Sequence, residues 1–418
     1  MKFKLTTDHK TVAKNYIYVA ILQGLNFILP LLIIPLLEQR IGLEKFGLVM
    51  YAQYIMSFCI VITDFGFNIT ATREIAVLRE NKKDYSDFFS SIIWFRMLLL
   101  TVMFLLLLVV VFSFDRFRED WLVYLLSYGV VAGQAIFPVW FFQGIEKMQI
   151  ITIVNVLAKV IFTLCIFFFV TETADYYFVP AFNSLGFLVA GIVSFILALK
   201  FTNFKMIIVP KFMFFVRDSF SVTLSNITSI SGLISNGLIL GYFYGDSIVG
   251  VYSIFEKLIT ASKSVFMPIY QVLYPYISRK SDAVIFKEIK KLAPIIAIVG
   301  LILSLTLFIF GEWILLTFFK NNLIEVYIKW FKLMTLVAFT SSLTMLYATL
   351  YAPARKLFKR RLQVLSLGAV ISIIGSSIFV PKYGIQAAAM IFLISELFMV
   401  LLASYLFVYL DKIIFKKD

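Results

Sequence analysis

The residues of this sequence that could do chemistry are ionised side chains placed inside long apolar runs. A charged group at the centre of a bilayer costs at least ~2.5 kcal/mol on insertion scales, so each is expected to face protein or a water-filled cavity. Basic side chains in such a cavity bind anions, above all phosphate groups. The sequence therefore predicts a substrate-binding path for an anion, formed by Arg96, Lys159, Lys257, Lys263 and Lys332.

Acids also occur within the apolar runs, and two of them are candidates for ion coupling. Asp64 lies in the stretch DFGFN, and Glu396 lies near the middle of the last run. A carboxylate that is protonated in one conformation and charged in another links ion flow to conformational change. Structural pairing with a nearby cation is an equally good interpretation of both residues, and the sequence leaves the two open.

Other kinds of site chemistry have little support in the sequence. The single histidine, His9, lies in the basic N-terminal stretch, and no His, Cys and Asp cluster has metal-ligand spacing. Cys59 and Cys165 both fall mid-run, where packing is the expected role. No cofactor is predicted. Without a nucleophile and base or a long acidic loop, the sequence favours movement of a substrate over its chemical conversion.

Composition places these residues in a membrane. Apolar residues make up 61% of the 418-residue chain, and 46 residues are Phe, which exceeds what a soluble core can hide. A spanning helix needs roughly 20 mostly apolar residues. The sequence predicts an all-α integral membrane protein with twelve transmembrane helices at 15–37, 47–72, 88–113, 121–142, 150–171, 178–199, 219–244, 248–277, 292–310, 326–352, 362–380 and 385–410.

The distribution of basic residues predicts the topology. The chain contains 38 Lys and Arg residues, and most of them fall in alternate gaps between the apolar runs, including the two termini. Since basic loops stay in the cytoplasm, both termini are predicted to be cytoplasmic. The net charge of +14 then reflects topology and attraction to anionic membrane lipids. No soluble domain is predicted that could hold nucleic acid.

Two stretches about half a chain apart suggest an internal duplication. Gly42–Gln53 (GLEKFGLVMYAQ) and Gly245–Lys257 (GDSIVGVYSIFEK) each join a pair of predicted helices. The sequence predicts a six-helix lobe at 1–200, a cytoplasmic linker at 201–218 and a second lobe at 219–418, related as parallel repeats that rock around a central site. Chance similarity between apolar sequences is the alternative interpretation.

The same stretches carry a family resemblance. Ile41 to Ala76 (IGLEKFGLVMYAQYIMSFCIVITDFGFNITATREIA) and Ser225 to Ser278, with GYFYGDSIVGVYSIFEKL and VLYPYIS, resemble polysaccharide exporters of the Wzx type. That family is in the multidrug/oligosaccharidyl-lipid/polysaccharide exporter superfamily. The resemblance implies flipping of undecaprenyl-diphosphate-linked O-antigen repeat units across a bacterial inner membrane, with polymerase and chain-length proteins of the pathway as partners.

Two other functions remain open at this stage. A drug or organic-cation antiporter of the same superfamily would share the fold, but the excess of cations in the runs has the wrong sign for a cationic substrate. A membrane glycosyltransferase or polysaccharide polymerase is the alternative of a different class, and it lacks the external acidic loop that such chemistry needs. The sequence favours a flippase that works by alternating access.

Overall fold

The computed structural model describes residues 7–206, 212–278, 280–319 and 321–409. Only the backbone is described for 7–31 apart from Gly24, and for positions 214, 268, 271, 272, 275, 276, 408 and 409. Throughout these residues the secondary structure is helical, with short 3-10 and π segments and no β-strand. The predicted all-α class is therefore confirmed. Two compact units are formed, and the first helix, α1 (Thr7–Asp64), and the ninth, α9 (Phe212–Tyr244), contribute residues to both.

The first unit contains Val49–Ile230 and the chain up to Leu25. Its further helices are α2 (Phe67–Glu80), α3 (Ser86–Ser113), α4 (Asp115–Arg118), α5 (Trp121–Ile136), α6 (Val139–Gly144), α7 (Met148–Phe169) and α8 (Phe178–Ala198), with a 3-10 turn at Thr173–Tyr177.

Small residues let α5 and α8 approach closely in this unit. A Cβ atom at Gly133 would lie 2.3 Å from the backbone carbon of Phe187, and one at Gly191 would lie 2.4 Å from the Gly133 carbonyl oxygen. Helices in a membrane gain little from hydrophobic burial against each other, so close backbone contact is their main source of attraction. These glycines therefore fix α5 against α8, and both helices contribute to the site described below.

The second unit contains Asn26–Leu48 and the chain from Ser231 onward. Its further helices are α10 (Asp246–Ser264), α11 (Phe266–Ile277), α12 (Asp282–Phe318), α13 (Asn322–Met334), α14 (Leu336–Met345), α15 (Ala352–Ala354), α16 (Phe358–Tyr383) and α17 (Ile385–Ser404), with π-helical segments at Leu346–Tyr351 and Tyr405–Tyr409.

A buried polar network holds four helices of the second unit together. The Asn236 amide on α9 donates to the Tyr252 hydroxyl on α10 and to the Ala388 carbonyl on α17. The Ser376 hydroxyl on α16 donates to the Asn236 side-chain oxygen at 2.6 Å. Both the nitrogen and the oxygen of the Asn236 amide have hydrogen-bond partners, so the amide is satisfied within the network. The network therefore holds these helices together.

The two stretches that suggested a duplication share an unusual backbone conformation. Gly42 has φ 78° and ψ 160°, and Gly245 has φ 82° and ψ 176°, a region open almost only to glycine. Five residues after each, Gly47 and Gly250 lie in a reciprocal contact. A Cβ atom at Gly47 would lie 1.8 Å from the Asp246 carbonyl oxygen, and one at Gly250 would lie 2.7 Å from that of Leu43.

Within the described residues, ten helical segments are long and apolar enough to cross a membrane. The predicted segments 15–37 and 47–72 both fall within α1, and the non-helical backbone of Gly42 divides α1 into two helices between them. The predicted segment 248–277 is divided at Val265 into α10 and α11. The predicted segment 292–310 is too short, because α12 continues from Asp282 to Phe318 and includes residues that the sequence analysis had left in a loop.

Candidate functional site

Arg96 lies on α3 in the first unit, and its guanidinium group donates hydrogen bonds to backbone carbonyls at the junction of α5 and α6. Its Nη2 donates to the Gln134 carbonyl at 2.9 Å, and its Nη1 donates to the Phe137 carbonyl at 3.3 Å. These carbonyls lie at the end of α5, just before Pro138, whose ring nitrogen has no proton to donate and which therefore ends the helix. Arg96 is 3% exposed. Contact with a substrate would require it to exchange these partners, and its substrate role stays a prediction.

Asp64, the first predicted coupling acid, lies at the end of α1 and faces Arg96. Its Oδ1 is 3.7 Å from the Arg96 Nη2. The next two residues, Phe65 and Gly66, have φ values of 49° and 72°, which turn the chain into α2. Asp64 therefore lies at this turn as the counter-charge of Arg96, while its coupling role stays a prediction.

In the second unit the structure joins a predicted substrate cation to the other predicted coupling acid. Lys263 on α10 donates its Nζ to the Glu396 Oε1 on α17 at 2.6 Å. Their side chains are only 15% and 7% exposed. The Lys263 ammonium group also lies 5.0 Å from the Phe392 ring centroid, within cation–π range. The pair is buried and neutral as a whole.

Lys332 on α13 has a partner that the sequence analysis missed. Its Nζ lies 2.5 Å from the Glu312 Oε2, and the two side chains are 35% and 43% exposed. The sequence predicts a loop at Glu312 and therefore no partner for Lys332 there, whereas Glu312 lies in the last turns of α12. The continuation of the apolar pattern through WILLTFF after Glu312 was the signal that could have revealed it.

The two remaining predicted cations have different surroundings. Lys159 on α7 is part-buried and interacts with neighbouring groups. Lys257 on α10 is part-exposed, and its neighbour Glu256 gives it a favourable electrostatic interaction. It forms no hydrogen bond or salt bridge within the described part of the chain. Its ammonium group can therefore accept an anionic partner without breaking an existing bond.

The first unit contains a cavity of about 170 Å³ with uncharged polar walls. The C-terminal part of α1, α5 and α8 form its walls. Its lining residues are Val49, Gln53, Met56, Ser57, Ile60, Ser127, Val130, Gln134, Pro180 and Asn183. The sequence by itself does not reveal this cavity, because amides and serines are frequent in membrane helices and commonly bond between helices.

Groups of three or more His, Cys, Asp and Glu side chains with metal-binding geometry are absent from the described residues. Comparison with known proteins supplies the family. Residues 12–281 match the model of a family described as polysaccharide biosynthesis protein. The chain belongs to this polysaccharide biosynthesis family. The resemblance found in the sequence is thereby confirmed.

Members of the polysaccharide biosynthesis family with curated names include two relatives named for O-antigen transport. One, from Escherichia coli strain K12, is 30% identical over 280 residues, which are 66% of this chain and 66% of the relative. The other, from Shigella dysenteriae, is 24% identical over 394 residues, which are 93% of this chain and 98% of the relative. The family consists of transporters, so the chain is a multi-pass membrane transporter and not an enzyme.

Solved structures show how far the polysaccharide biosynthesis fold is shared. The lipid II flippase MurJ in an inward closed conformation has a TM-score of 0.72 at 14% identity, over 92% of this chain and 86% of that one. An inward-facing multidrug resistance transporter of the MATE family has a TM-score of 0.68 at 12% identity, over 95% of this chain and 99% of that one. At these identities the likeness shows the fold alone.

Proposed function

We propose that this chain flips undecaprenyl-diphosphate-linked O-antigen or related polysaccharide repeat units from the cytoplasmic to the periplasmic leaflet of a bacterial inner membrane. The family match and the names of both relatives support this proposal. The fold shared with a lipid flippase supports it further. Since a flipped unit must next be joined to others, polymerase and chain-length proteins of the pathway are the proposed partners.

The proposed architecture is two six-helix lobes, residues 1–200 and 219–418, joined by a cytoplasmic linker at 201–218. Twelve spans follow from the number of long apolar runs, and two cytoplasmic termini follow from the alternating basic gaps. The matched conformations of Gly42 and Gly245 support a duplicated origin of the lobes. Alternating access then requires each lobe to move largely as a body around the substrate.

Lys257 is the residue that carries the proposed substrate chemistry. A diphosphate that enters a membrane protein sheds much of its hydration, and a cation in a low-dielectric crevice offsets that loss. Lys257 is part-exposed and without a salt bridge among the described residues. A cationic drug would be repelled by the same group, which favours a phosphate-bearing substrate.

The other predicted cations have supporting roles in this proposal. A diphosphate near Lys263 would compete with Glu396 for the ammonium group, and a released Glu396 would take up a proton from the coupling gradient. Asp64 is the corresponding acid beside Arg96. Lys159 and Lys332 are proposed secondary contacts, and Lys332 would have to leave Glu312.

The test is a Lys257→Ala variant in cells whose own O-antigen flippase is deleted. We expect surface polysaccharide to fall at least tenfold, while lipid-linked repeat units accumulate in the inner leaflet. Lys329→Ala is the matched control, because Lys329 is an exposed lysine on α13 in the same unit. Lys257→Arg should restore part of the activity by keeping the charge.

Both alanine variants are quantified in purified membranes, so that loss of protein is separated from loss of transport. Full surface polysaccharide with Lys257→Ala would contradict the role of this lysine. Failure of the unmodified chain to restore polysaccharide with any repeat unit supplied would contradict the proposed function itself.

A further inference from the structure

The uncharged cavity of the first unit has the size of one six-membered ring. Its volume is about 170 Å³. An apolar cavity of about 150 Å³ in another protein admits benzene, whereas pockets for drug-sized ligands measure about 300–1,000 Å³. A single sugar ring fits, with its substituents directed through the open side. A whole oligosaccharide or a diphosphate with its lipid does not.

The polar groups of the cavity match hydroxyl groups better than they match ions. All of its lining residues are uncharged. An ion placed there would lose hydration without gaining a counter-charge. Amide side chains offer both donors and acceptors, as sugar hydroxyls do. The cavity presents three of them, from Gln53, Gln134 and Asn183.

These three amides are not used to hold helices together. No hydrogen bond to the side chain of Gln53, Gln134 or Asn183 forms within the described residues. The amide of Asn155 on α7, by contrast, already has a protein partner, because it donates to the Ile151 carbonyl of its own helix at 2.9 Å. The Asn236 amide is fully engaged in the second unit. Because unpaired amides are costly inside a membrane protein, the three in the cavity require water or a ligand.

The two serines of the cavity add acceptors in fixed positions. The Ser57 hydroxyl donates to the Gln53 carbonyl at 2.8 Å, and the Ser127 hydroxyl donates to the Val123 carbonyl at 2.7 Å. Their protons are thus committed, and their oxygen lone pairs remain to accept from a ligand hydroxyl. Arg96 contributes from outside, since its bond to the Gln134 carbonyl fixes the end of α5.

We propose that this cavity binds one uncharged sugar ring of the transported unit, through the amides of Gln53, Gln134 and Asn183. The inference rests on the proposed function and names the part of the substrate that the cavity recognises, which is a sugar and not the diphosphate. Selectivity for glycosylated lipid over bare lipid diphosphate then depends on the amides.

The experiment compares two ligands on the purified full-length protein. One is prenyl diphosphate bearing the repeat-unit oligosaccharide, extracted from flippase-deficient cells, and the other is the same prenyl diphosphate without sugar. Dissociation constants are measured for both, and their ratio reports the contribution of the sugar. We expect at least a tenfold preference for the glycosylated lipid in the unmodified protein.

The variants Gln134→Met and Asn183→Leu remove amide hydrogen bonds with little change in volume. Each should reduce the preference by about fivefold to tenfold, the effect of losing one or two hydrogen bonds, while binding of the bare lipid stays unchanged. Ser57→Leu, which fills the cavity, should have the same effect. Asn155→Leu is the matched control, because its amide lies outside the cavity, and it should keep the full preference.

Each outcome separates the sugar site from the proposed function. A ratio of the two dissociation constants near one in the unmodified protein would overturn the sugar site. An equal loss of affinity for both ligands in the amide variants would also overturn it. Binding of neither ligand by the unmodified protein would overturn the proposed function. Lys257→Ala should weaken the binding of both ligands by the same factor and leave the ratio of their dissociation constants unchanged.

Discussion

Glu396 is buried and Lys263 is part-buried, and each has the other as its counter-ion. The 2.6 Å contact lies between α10 and α17, beside the Phe392 ring. Removing one member of a buried pair leaves an uncompensated charge and typically costs about 3–5 kcal/mol, whereas replacing both with uncharged groups costs much less. The pair therefore couples two helices through charge as well as through packing.

A double-mutant cycle tests this coupling. Lys263→Met and Glu396→Gln should each lower the thermal stability of the purified protein, and the double variant should be more stable than at least one single variant, because no charge is then unpaired. Thermal unfolding in detergent gives the three values. If the stability loss of the double variant equals the sum of the losses of the two single variants, the result would contradict a tight ion pair.

At the scale of elements, the reciprocal contact of Gly47 and Gly250 decides how closely α1 and α10 approach. The chain turns into each helix through a glycine with positive φ, Gly42 or Gly245, and then places a second glycine against the partner backbone. Neither position has room for a side chain. The spacing of these glycines therefore matters more than the identity of the apolar residues between them.

Gly47→Ala should strongly destabilise the protein. The added Cβ would lie 1.8 Å from the Asp246 carbonyl oxygen, which forces the helices apart at a cost of about 1–3 kcal/mol or more. Gly24→Ala, in the part of α1 before Gly42, is the control, since nothing lies within 4 Å of its Cβ position. The yield of monodisperse protein and its melting temperature are the measurements. Equal behaviour of the two variants would contradict the close contact.

At the scale of the whole molecule, the sequence makes a definite prediction of topology. The gap between α2 and α3 is basic and is predicted to lie in the cytoplasm, while the gap between α7 and α8 is predicted to lie outside. Lys83 and Glu172 are exposed residues in these two gaps. Both are suitable for labelling because their side chains are accessible.

Single cysteines at these positions test the prediction, in a chain whose Cys59 and Cys165 are replaced by Ala. A membrane-impermeant maleimide should label Glu172→Cys in intact cells with a permeabilised outer membrane, and it should label Lys83→Cys only after the inner membrane is opened. The reverse pattern would invert the topology and the proposed direction of transport. Labelling of both in intact cells would show leakage and is checked with a cytoplasmic marker enzyme.

Much of this protein follows from its sequence because a bilayer imposes simple rules. Apolar runs must be helical, since no water is present to satisfy backbone groups, and this rule gave the all-α class. The intramembrane charges were found for the same reason. The motifs around Gly42 and Gly245 indicated both the duplication and the family. The family match then confirmed the resemblance, and the topology stays a prediction.

Only the tertiary structure decided which charges have partners. Arg96 meets Asp64, Lys263 meets Glu396 and Lys332 meets Glu312, whereas Lys257 forms no salt bridge among the described residues. The partners are distant in sequence, and their distances depend on how helices pack and where each one bends. The same holds for the amide-lined cavity, whose walls come from three separate helices. Local pattern places a residue at a depth in the membrane, and packing alone decides what it meets there.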